Sequence, residues 1–504
     1  MSYIENMNKI GFNGKISKNI ILAFLFTFVY FVVCIVIDIN RVPFWDEARA
    51  WLIAQNCNIL EYLDLMKLEC HMFVWYLIIF PFAKLNLFYP YSMQFLNTVI
   101  ASAAIYVLWR RAPFSIYEKI LITFSVPFLF LWGVVARCYS IGILFIFLAL
   151  MYYKLRFKHP YRYLVYLCLA MNTSVMAFVG AFYLALIFIV ENFKNKNFIK
   201  LSLIFLGCIL IVAIQDYAPN PDFLKQTPEM AFLRDFFGYI LHPVFFIPQY
   251  AYQSILMSIL RVSVDVCCIS FVVFSIKNNK KILSFILLTY LSLLIIFVLF
   301  YSGNFWHYFY FYFYFIVAFW ILRIENKIPK VLNVFFIIIL SCFMFKGSLF
   351  IDSKMTTIND STSLKIAKEI LSNPKYKNVK LFCLDPWSDI APSSLPYLKG
   401  KVKIYDIFNQ DRFGYKSMRS HIEFNTKNFN PDEFYKFVDN DSILLTTTAF
   451  TRHELKNPKR RFDEKSGIID FVGKNYTVSF IPLDAKKDIC LWSYIIKVHK
   501  TIQK

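Results

Sequence analysis

Three short groups of polar residues stand at the ends of apolar runs, where the chain could do chemistry. Phe44-Trp45-Asp46-Glu47 follows the first run, Glu69-Cys70-His71 precedes the aromatic pair Trp75-Tyr76, and Arg137-Cys138-Tyr139 separates two later runs. Ionisable residues beside a bilayer are costly, so these groups are the first candidates for function.

Each group has a chemical interpretation and a structural alternative. Asp46 can take a proton from an incoming hydroxyl, or it can cap a helix over 47–55. Arg137 is a natural bidentate phosphate ligand, or it reaches toward lipid headgroups. Glu69 and His71 can hold a cation or bind a sugar hydroxyl or phosphate, or they form the polar entry to an interfacial helix.

Two further groups are weaker candidates. His307, beside Trp306, can approach the same place, although a lone histidine at an interface is usually structural. Arg261 and Asp265 are four residues apart on one helix face, which favours a self-neutralising structural pair.

The composition predicts that an integral membrane protein carries these groups. Of 504 residues, 58% are hydrophobic and only 17% are charged, against 45–50% apolar and about 25% charged in soluble domains. The net charge of +21 is spread between short basic clusters rather than gathered on one face. That pattern is typical of topology determination and argues against nucleic-acid binding.

The apolar runs predict eleven membrane spans with a cytoplasmic N-terminus. The first, 20–37, lacks a small-residue cleavage site and is interpreted as an anchor. The others lie near 93–109, 119–133, 139–153, 161–173, 176–190, 198–215, 254–276, 282–300, 306–322 and 331–347. If all basic clusters are cytoplasmic, the candidate groups share the outer face. The runs 72–82 and 229–250 are predicted to lie along that face.

The sequence divides into residues 1–347, a transmembrane domain, and 348–504, an extracytoplasmic α/β domain. In the tail, helical spacing predicts a helix over 361–372, with a short second helix over 432–438. Strands are predicted at 379–384, 402–407, 443–447, 476–481 and 490–498. The tail has no Gly-rich phosphate loop and no triad, so a substrate-contacting or structural role is expected. Cys57 with Cys70, or Cys383 with Cys490, would pair only in an oxidising compartment.

The ordered set of motifs resembles a known enzyme family. One span is followed by Trp45-Asp46-Glu47-Ala48, Glu69-x-His71, Ala136-Arg137-x-Tyr139, Met171-Asn172-Thr173 and Tyr301-x-Gly303-x-x-x-His307. The order of these motifs is similar to that of fold class C glycosyltransferases. These are the bacterial relatives of protein mannosyltransferases and the aminoarabinose lipid A transferase. The resemblance covers roughly residues 15–325. The chain departs from the usual pattern of the relatives at three motifs. Gly-His-Pro is replaced by Cys70-His71-Met72, Arg-Asn-Tyr by Arg137-Cys138-Tyr139, and Arg-His by Trp306-His307.

The resemblance implies transfer of a sugar from a polyprenyl-phosphate donor to a lipid, glycan or protein hydroxyl, with inversion, at the outer face of the inner (plasma) membrane. Asp46 would be the general base and Glu47 would orient the acceptor or support that base. Arg137, Tyr139, Glu69, His71 and His307 would bind substrate.

Some relatives hold a divalent cation, for which Glu69, His71 and His307 are the candidates here. No nucleotide cofactor is expected. A lipid-linked glycan transporter or flippase is the alternative, which broken helices and deep charges would favour.

Overall fold

The computed structural model describes residues 18–69, 71–216, 270–299, 305–350, 362–376, 379–383, 391–398, 401–406, 432, 435–436, 438, 442–445, 460–462, 468–482 and 493–500. The protein is mostly helical. Its helices are α1 Lys18–Ile39, α2 Trp45–Asn56, α3 Ile59–Glu69, α4 Val74–Lys84, α5 Tyr91–Arg111, α6 Ile116–Thr123, a π-helix Pro127–Val134, α7 Tyr139–Tyr152, a 3-10 turn Tyr153–Leu155, α8 Pro160–Met171, α9 Val175–Glu191, α10 Phe198–Asp216, α11 Lys280–Leu299, α12 Phe305–Ile324, α13 Lys330–Phe350, α14 Thr362–Ser372, a 3-10 turn Pro374–Tyr376 and α15 Ala391–Leu398. Residues 270–276 are also helical.

Of the predicted apolar runs, 229–250 and most of 254–276 lie outside the described residues. The others fold as helices near the predicted positions, with one exception. The run 119–133 is broken into α6 and the π-helix, which meet at a bend of 48°. Four of the described helices are long and apolar enough to cross a membrane, or five if the bent pair forms one span. The short run at 72–82 forms α4, which has eleven residues and contains Pro81. These helices indicate a membrane protein.

The chain divides into two compact units. The first comprises Met1–Ile39, Met66–Trp75 and Gln94–Ser353, and the second comprises Asn40–Leu65, Tyr76–Met93 and Lys354–Lys504. Two segments near the N-terminus therefore group with the C-terminal residues. The predicted boundary at 347/348 remains a prediction.

Helix α12 lies at the centre of the first unit. Every residue from Phe309 to Leu322 is buried, and the largest side chains in it, Tyr310, Tyr314 and Trp320, are fully enclosed. A helix that is apolar on all sides is expected in such a position. By contrast, α1 and α10 each present an exposed apolar face, which includes Phe28 and Leu210. Such faces are typical of surfaces that contact lipid.

Charged residues join the helix ends at one end of the first unit. Arg156, after α7, donates to both carboxylate oxygens of Glu191, at 2.8 and 3.1 Å. Lys281, at the start of α11, contacts Glu191 and lies 3.9 Å from Glu325. Tyr153 donates its hydroxyl to Glu325 at 2.8 Å. This ionic network fixes four helix ends against one another.

A second cluster stands at the same end of the first unit, where the start of α6, the end of α12 and the start of α13 meet. Arg323, in the last turn of α12, donates to both carboxylate oxygens of Glu118, to the side chain of Asn333 and to the carbonyl of Pro113. Glu118 is itself the N3 residue of α6 and accepts from the backbone N–H and the hydroxyl of Ser115, both at 2.7 Å. One carboxylate therefore caps α6 and anchors α12.

The second unit combines α2, α14 and α15 with a seven-stranded mixed sheet. The strands are β1 Leu381–Cys383, β2 Ile404–Asp406, β3 Ile443–Leu445, β4 Arg460–Phe462, β5 Ile469–Val472, β6 Tyr476–Pro482 and β7 Ser493–Lys500, in the order β2-β1-β3-β7-β6-β5-β4. β1 is parallel to β2 and β3, and the other pairs are antiparallel.

The five predicted strands and helix α14 are confirmed within a few residues, whereas β4, β5 and α15 were not predicted. Phe471, Val478 and Ile496 are fully buried on one face of the sheet, as period-two alternation and the register Phe471↔Val478 require. Three of the seven residues of the predicted helix 432–438 lie outside the described residues, and that helix remains a prediction.

Candidate functional site

The segment that carries Arg137 is held by a glycine and an asparagine. A Cβ on Gly133 would lie 2.9 Å from the sulfur of Cys34 and would also meet the hydroxyl of Tyr30, so only glycine allows the π-helix to lie this close to α1. The carboxamide of Asn97, on α5, donates to the carbonyls of Trp132 and Gly133 at 3.2 and 3.0 Å. The π-helix therefore ends in a fixed position, just before Arg137.

Arg137 and His71 meet across 66 residues of sequence. The guanidinium nitrogen Nη2 of Arg137 lies 2.5 Å from Nε2 of His71. Because arginine can only donate, this contact makes Nε2 the acceptor and leaves the proton of the neutral ring on Nδ1. Nδ1 lies 3.9 Å from the sulfur of Cys138. Arg137 is 3% exposed, so its charge is held away from water next to a neutral ring.

Tyr139 and His307 form the second contact. The phenol oxygen of Tyr139 lies 2.9 Å from Nε2 of His307, and the two rings meet edge to face at 5.8 Å. Tyr139 is the first residue of α7 and His307 stands in the first turn of α12, so the same ends of both helices meet here. The ring of His71 is 6.4 Å from the ring of Tyr139. Four predicted substrate-binding residues are therefore brought together: His71, Arg137, Tyr139 and His307.

A series of buried amide hydrogen bonds, here called the amide relay, holds the segment that carries His71. Gln215, near the end of α10, accepts from the backbone N–H of Phe73 at 3.0 Å and donates to Asn172 at 2.9 Å. Asn172, which the sequence analysis quoted within a motif, is the C-cap of α8. It donates in turn to the carbonyl of Cys168 at 2.9 Å. The relay fixes the backbone two residues after His71.

Asp46 and Glu47 lie in the first turn of α2, in the second unit. The N-cap of that helix is Phe44, so the alternative in which Asp46 caps it is wrong. Glu47 stabilises the turn instead, since it accepts from the backbone N–H of Phe44 at 2.7 Å. Its carboxylate is fully buried and forms a bidentate pair with Arg41, at 2.6 and 2.8 Å. Asp46 is partly exposed.

Other predicted residues are only partly covered by the structure. The backbone of Glu69 ends α3, and its side chain lies outside what the structure describes, as do Arg261, Asp265 and residues 301–303. Cys57 is a buried thiol, while Cys70 and Cys490 are not among the described residues.

Two of the side chains predicted to hold a divalent cation make other contacts in the structure. Both Nε2 atoms, of His71 and of His307, are already engaged, and a guanidinium stands beside one of them. Within the described ranges, no three His, Cys, Asp or Glu side chains are grouped to hold a metal ion. The cation therefore remains a prediction from the resemblance.

Sequence reasoning missed a buried carboxylate in the first unit. Asp38, in the last turn of α1, is 2% exposed and accepts from the hydroxyl of Thr98 at 3.0 Å. An acid at the end of a candidate span is itself a functional signal, but the predicted anchor ended at residue 37 and Asp38 was not considered. Its neighbour Thr98 is part of a polar stripe on α5, and helical spacing would have found that stripe.

No protein-family model, no curated protein and no solved structure matches this chain.

Proposed function

We propose that this protein is a membrane glycosyltransferase that moves a sugar from a polyprenyl-phosphate donor to an acceptor hydroxyl at the outer face of the plasma membrane. In this proposal the first 347 residues cross the membrane eleven times, with the N-terminus in the cytoplasm. Residues 348–504 form a soluble α/β domain on the outer side.

The observation that supports this proposal is the convergence of Arg137, His71, Tyr139 and His307 at one end of the first unit. Together they offer a buried cation and three ring donors or acceptors. A departing phosphate carries negative charge, which a preorganised guanidinium and N–H or O–H donors stabilise in a site of low dielectric. A lipid-linked donor enters sideways from the bilayer, so a site at helix ends suits it.

The chemistry needs one base and one stabilised leaving group. Asp46 would take the proton of the acceptor hydroxyl as its oxygen attacks the anomeric carbon from the face opposite the phosphate. The bond from that carbon to the phosphate oxygen breaks, and Arg137 with His71 and His307 would hold the departing lipid phosphate. The buried Arg41–Glu47 pair supports a positioning role for Glu47, because it fixes the first turn of the helix that carries Asp46.

A cell-surface experiment tests the reaction. Surface glycans are analysed by mass spectrometry in a deletion strain and in strains rescued with wild type, Asp46→Asn, Arg137→Gln or the control Arg110→Gln, at matched protein levels in the membrane. We expect the deletion to lose one sugar, which wild type and Arg110→Gln restore and the other two variants do not. An unchanged glycan profile in the deletion strain would refute the transferase. Rescue by Asp46→Asn would remove that residue as the base.

One observation favours a lipid-linked glycan transporter as a second candidate. The bent pair of α6 and the π-helix is a broken helix, and broken helices frequently mark transport sites. In that case Asp46→Asn would still restore the surface sugar, whereas Arg137→Gln, which removes the lipid-phosphate ligand, would not.

A further inference from the structure

Helix α5 carries a stripe of polar residues on its buried face. Gln94, Asn97, Thr98 and Ser102 follow the spacing i, i+3, i+4 and i+8, which places them on one side of a helix. All four are buried, although α5 is apolar enough to cross a membrane. A polar stripe that faces the protein interior of such a helix requires partners there.

Two members of the stripe have partners that hold neighbouring elements. Asn97 donates to the π-helix carbonyls of Trp132 and Gly133 and accepts from the hydroxyl of Ser140 at 2.6 Å. Thr98 donates to Asp38. Because Ser140 follows Tyr139, the carboxamide of Asn97 fixes the segment that carries Arg137 and Tyr139 from both sides. These two residues therefore have structural roles.

Gln94 differs from them. It is 1% exposed, and neither its Oε1 nor its Nε2 has a hydrogen-bond partner among the described residues. Leaving a buried amide without partners is costly, so a group from outside the chain is expected to complete it. Gln94 lies one turn before Asn97, toward the start of α5, and therefore toward the end of the helix bundle where Arg137 and Tyr139 stand.

We propose that the carboxamide of Gln94 binds hydroxyl groups of the sugar on the lipid-linked donor. The assignment rests on the proposed function and adds the residue that recognises the sugar rather than the phosphate. A carboxamide presents donors and acceptors without net charge, which matches sugar hydroxyls, since each hydroxyl both donates and accepts. A phosphate accepts only, and Arg137 suits it better.

Binding measured on the full-length protein in lipid nanodiscs tests this assignment. The probes are decaprenyl phosphate and the same lipid carrying mannose, glucose or galactose. Wild type is expected to bind at least one sugar-linked lipid about tenfold more tightly than decaprenyl phosphate, and Gln94→Met to reduce that preference to about twofold or less. Its affinity for decaprenyl phosphate should be unchanged.

Thermal unfolding of the empty protein separates binding from packing. Methionine is close to glutamine in volume and removes two buried groups without partners, so Gln94→Met should unfold at the same temperature as wild type or higher. Asn97→Leu, which leaves two backbone carbonyls and a hydroxyl without their partner, should unfold at a lower temperature.

The outcomes distinguish the assignment of Gln94 from the proposed function on which it rests. A Gln94→Met variant that keeps the sugar preference, or that is destabilised as strongly as Asn97→Leu, would assign Gln94 to packing or to a buried water and overturn the inference. Equal binding of all four lipids by wild type would also overturn it, while leaving a lipid-phosphate site. If wild type binds none of them, the proposed function fails and this assignment fails with it.

Discussion

The two ends of the helix bundle in the first unit hold their charges in different ways. At the end marked by Arg156 and Arg323, the guanidiniums face the carboxylates of Glu191 and Glu118. At the end marked by Arg137, that arginine contacts the imidazole of His71, and His307 contacts the phenol of Tyr139. Helix α12, with twenty residues or about 30 Å of length, reaches from one end to the other.

The difference indicates which end is built for stability and which for binding. An arginine held by a carboxylate is neutralised within the fold, and its removal leaves a buried charge without compensation. A guanidinium that contacts an imidazole can also donate to an anion, since it carries five N–H groups. We therefore expect substitutions at the ionic end to change stability, and substitutions at the Arg137 end to change ligand binding more than stability.

The largest effect is expected from Arg323→Gln. It leaves the fully buried carboxylate of Glu118 without its cation, which should cost about 3–5 kcal/mol in the free energy of unfolding. The measurement is thermal or denaturant unfolding of the purified protein in detergent. Lys327→Gln is the control, because its side chain is more than half exposed and should cost at most about 1 kcal/mol. Similar losses in both variants would contradict the importance of burial here.

Gly180→Ala should have the next largest effect. A Cβ at Gly180 would overlap the ring of Tyr314, a fully buried residue whose hydroxyl donates to the carbonyl of Met176 at 2.6 Å. Overpacking of this contact between α9 and α12 should cost about 1–3 kcal/mol. Gly207→Ala, in α10, is the matched control. Among the described residues, nothing beyond the neighbouring backbone of its own helix lies within 4 Å of its Cβ position, so that variant should be neutral or more stable by up to about 1 kcal/mol.

These two predictions depend on contacts that the sequence did not indicate. The apolar runs and the basic clusters placed most of the described long helices within a few residues, because hydrophobic length and charge at helix ends are local properties. Glu118 and Arg323 are 205 residues apart, and nothing local marks them as partners. The basic clusters were interpreted only as topology signals, whereas Arg156 and Lys281 also bind carboxylates inside the fold.

Part of the candidate site could be predicted from the sequence, because the side of the membrane at which a helix ends follows from the number of spans before it. The parity of the helices put Arg137, His71 and His307 at one end. There the structure brings Arg137 into contact with His71, and His307 into contact with Tyr139. The parity of the helices does not indicate which rings are in contact, and it does not indicate that the carboxylate of Glu47 pairs with Arg41. The polar stripe that contains Gln94 was readable from helical spacing, but a stripe of amides has no chemical signature without its burial.

Lowering the pH should destabilise the ionic end first. Burial alone would raise the pKa of Glu191 and of Glu325, but hydrogen bonds from Arg156 and Lys281 to the first, and from Lys327 and Tyr153 to the second, leave both pKa values below the usual 4.5. Groups with lowered pKa values stabilise the fold above their unfolded-state pKa, and that stabilisation is lost as the pH falls through the folded-state value. The unfolding temperature should therefore fall as the pH is lowered below about 4.5.

The matched variant Glu191→Gln separates this network from the rest of the protein. It lacks one of the titrating carboxylates, so its unfolding temperature should start lower at neutral pH and fall less steeply on acidification. An acid slope identical to that of wild type would mean that Glu191 does not contribute to the pH dependence.

The smallest change in stability is expected from Tyr139→Phe, and it tests the other end of the bundle. The substitution keeps the ring and removes the hydroxyl that lies 2.9 Å from His307, which should cost about 1 kcal/mol. Tyr290→Phe is a matched control, since it removes the hydroxyl of a partly buried tyrosine, which donates to the carbonyl of Phe311 at 2.7 Å, and should cost a similar amount. Only Tyr139→Phe should also weaken the binding of decaprenyl phosphate, by a few fold and less than Arg137→Gln does. If both variants lower stability equally and neither changes lipid affinity, the Tyr139–His307 contact belongs to helix packing, and the two ends of the bundle differ less than their partners suggest.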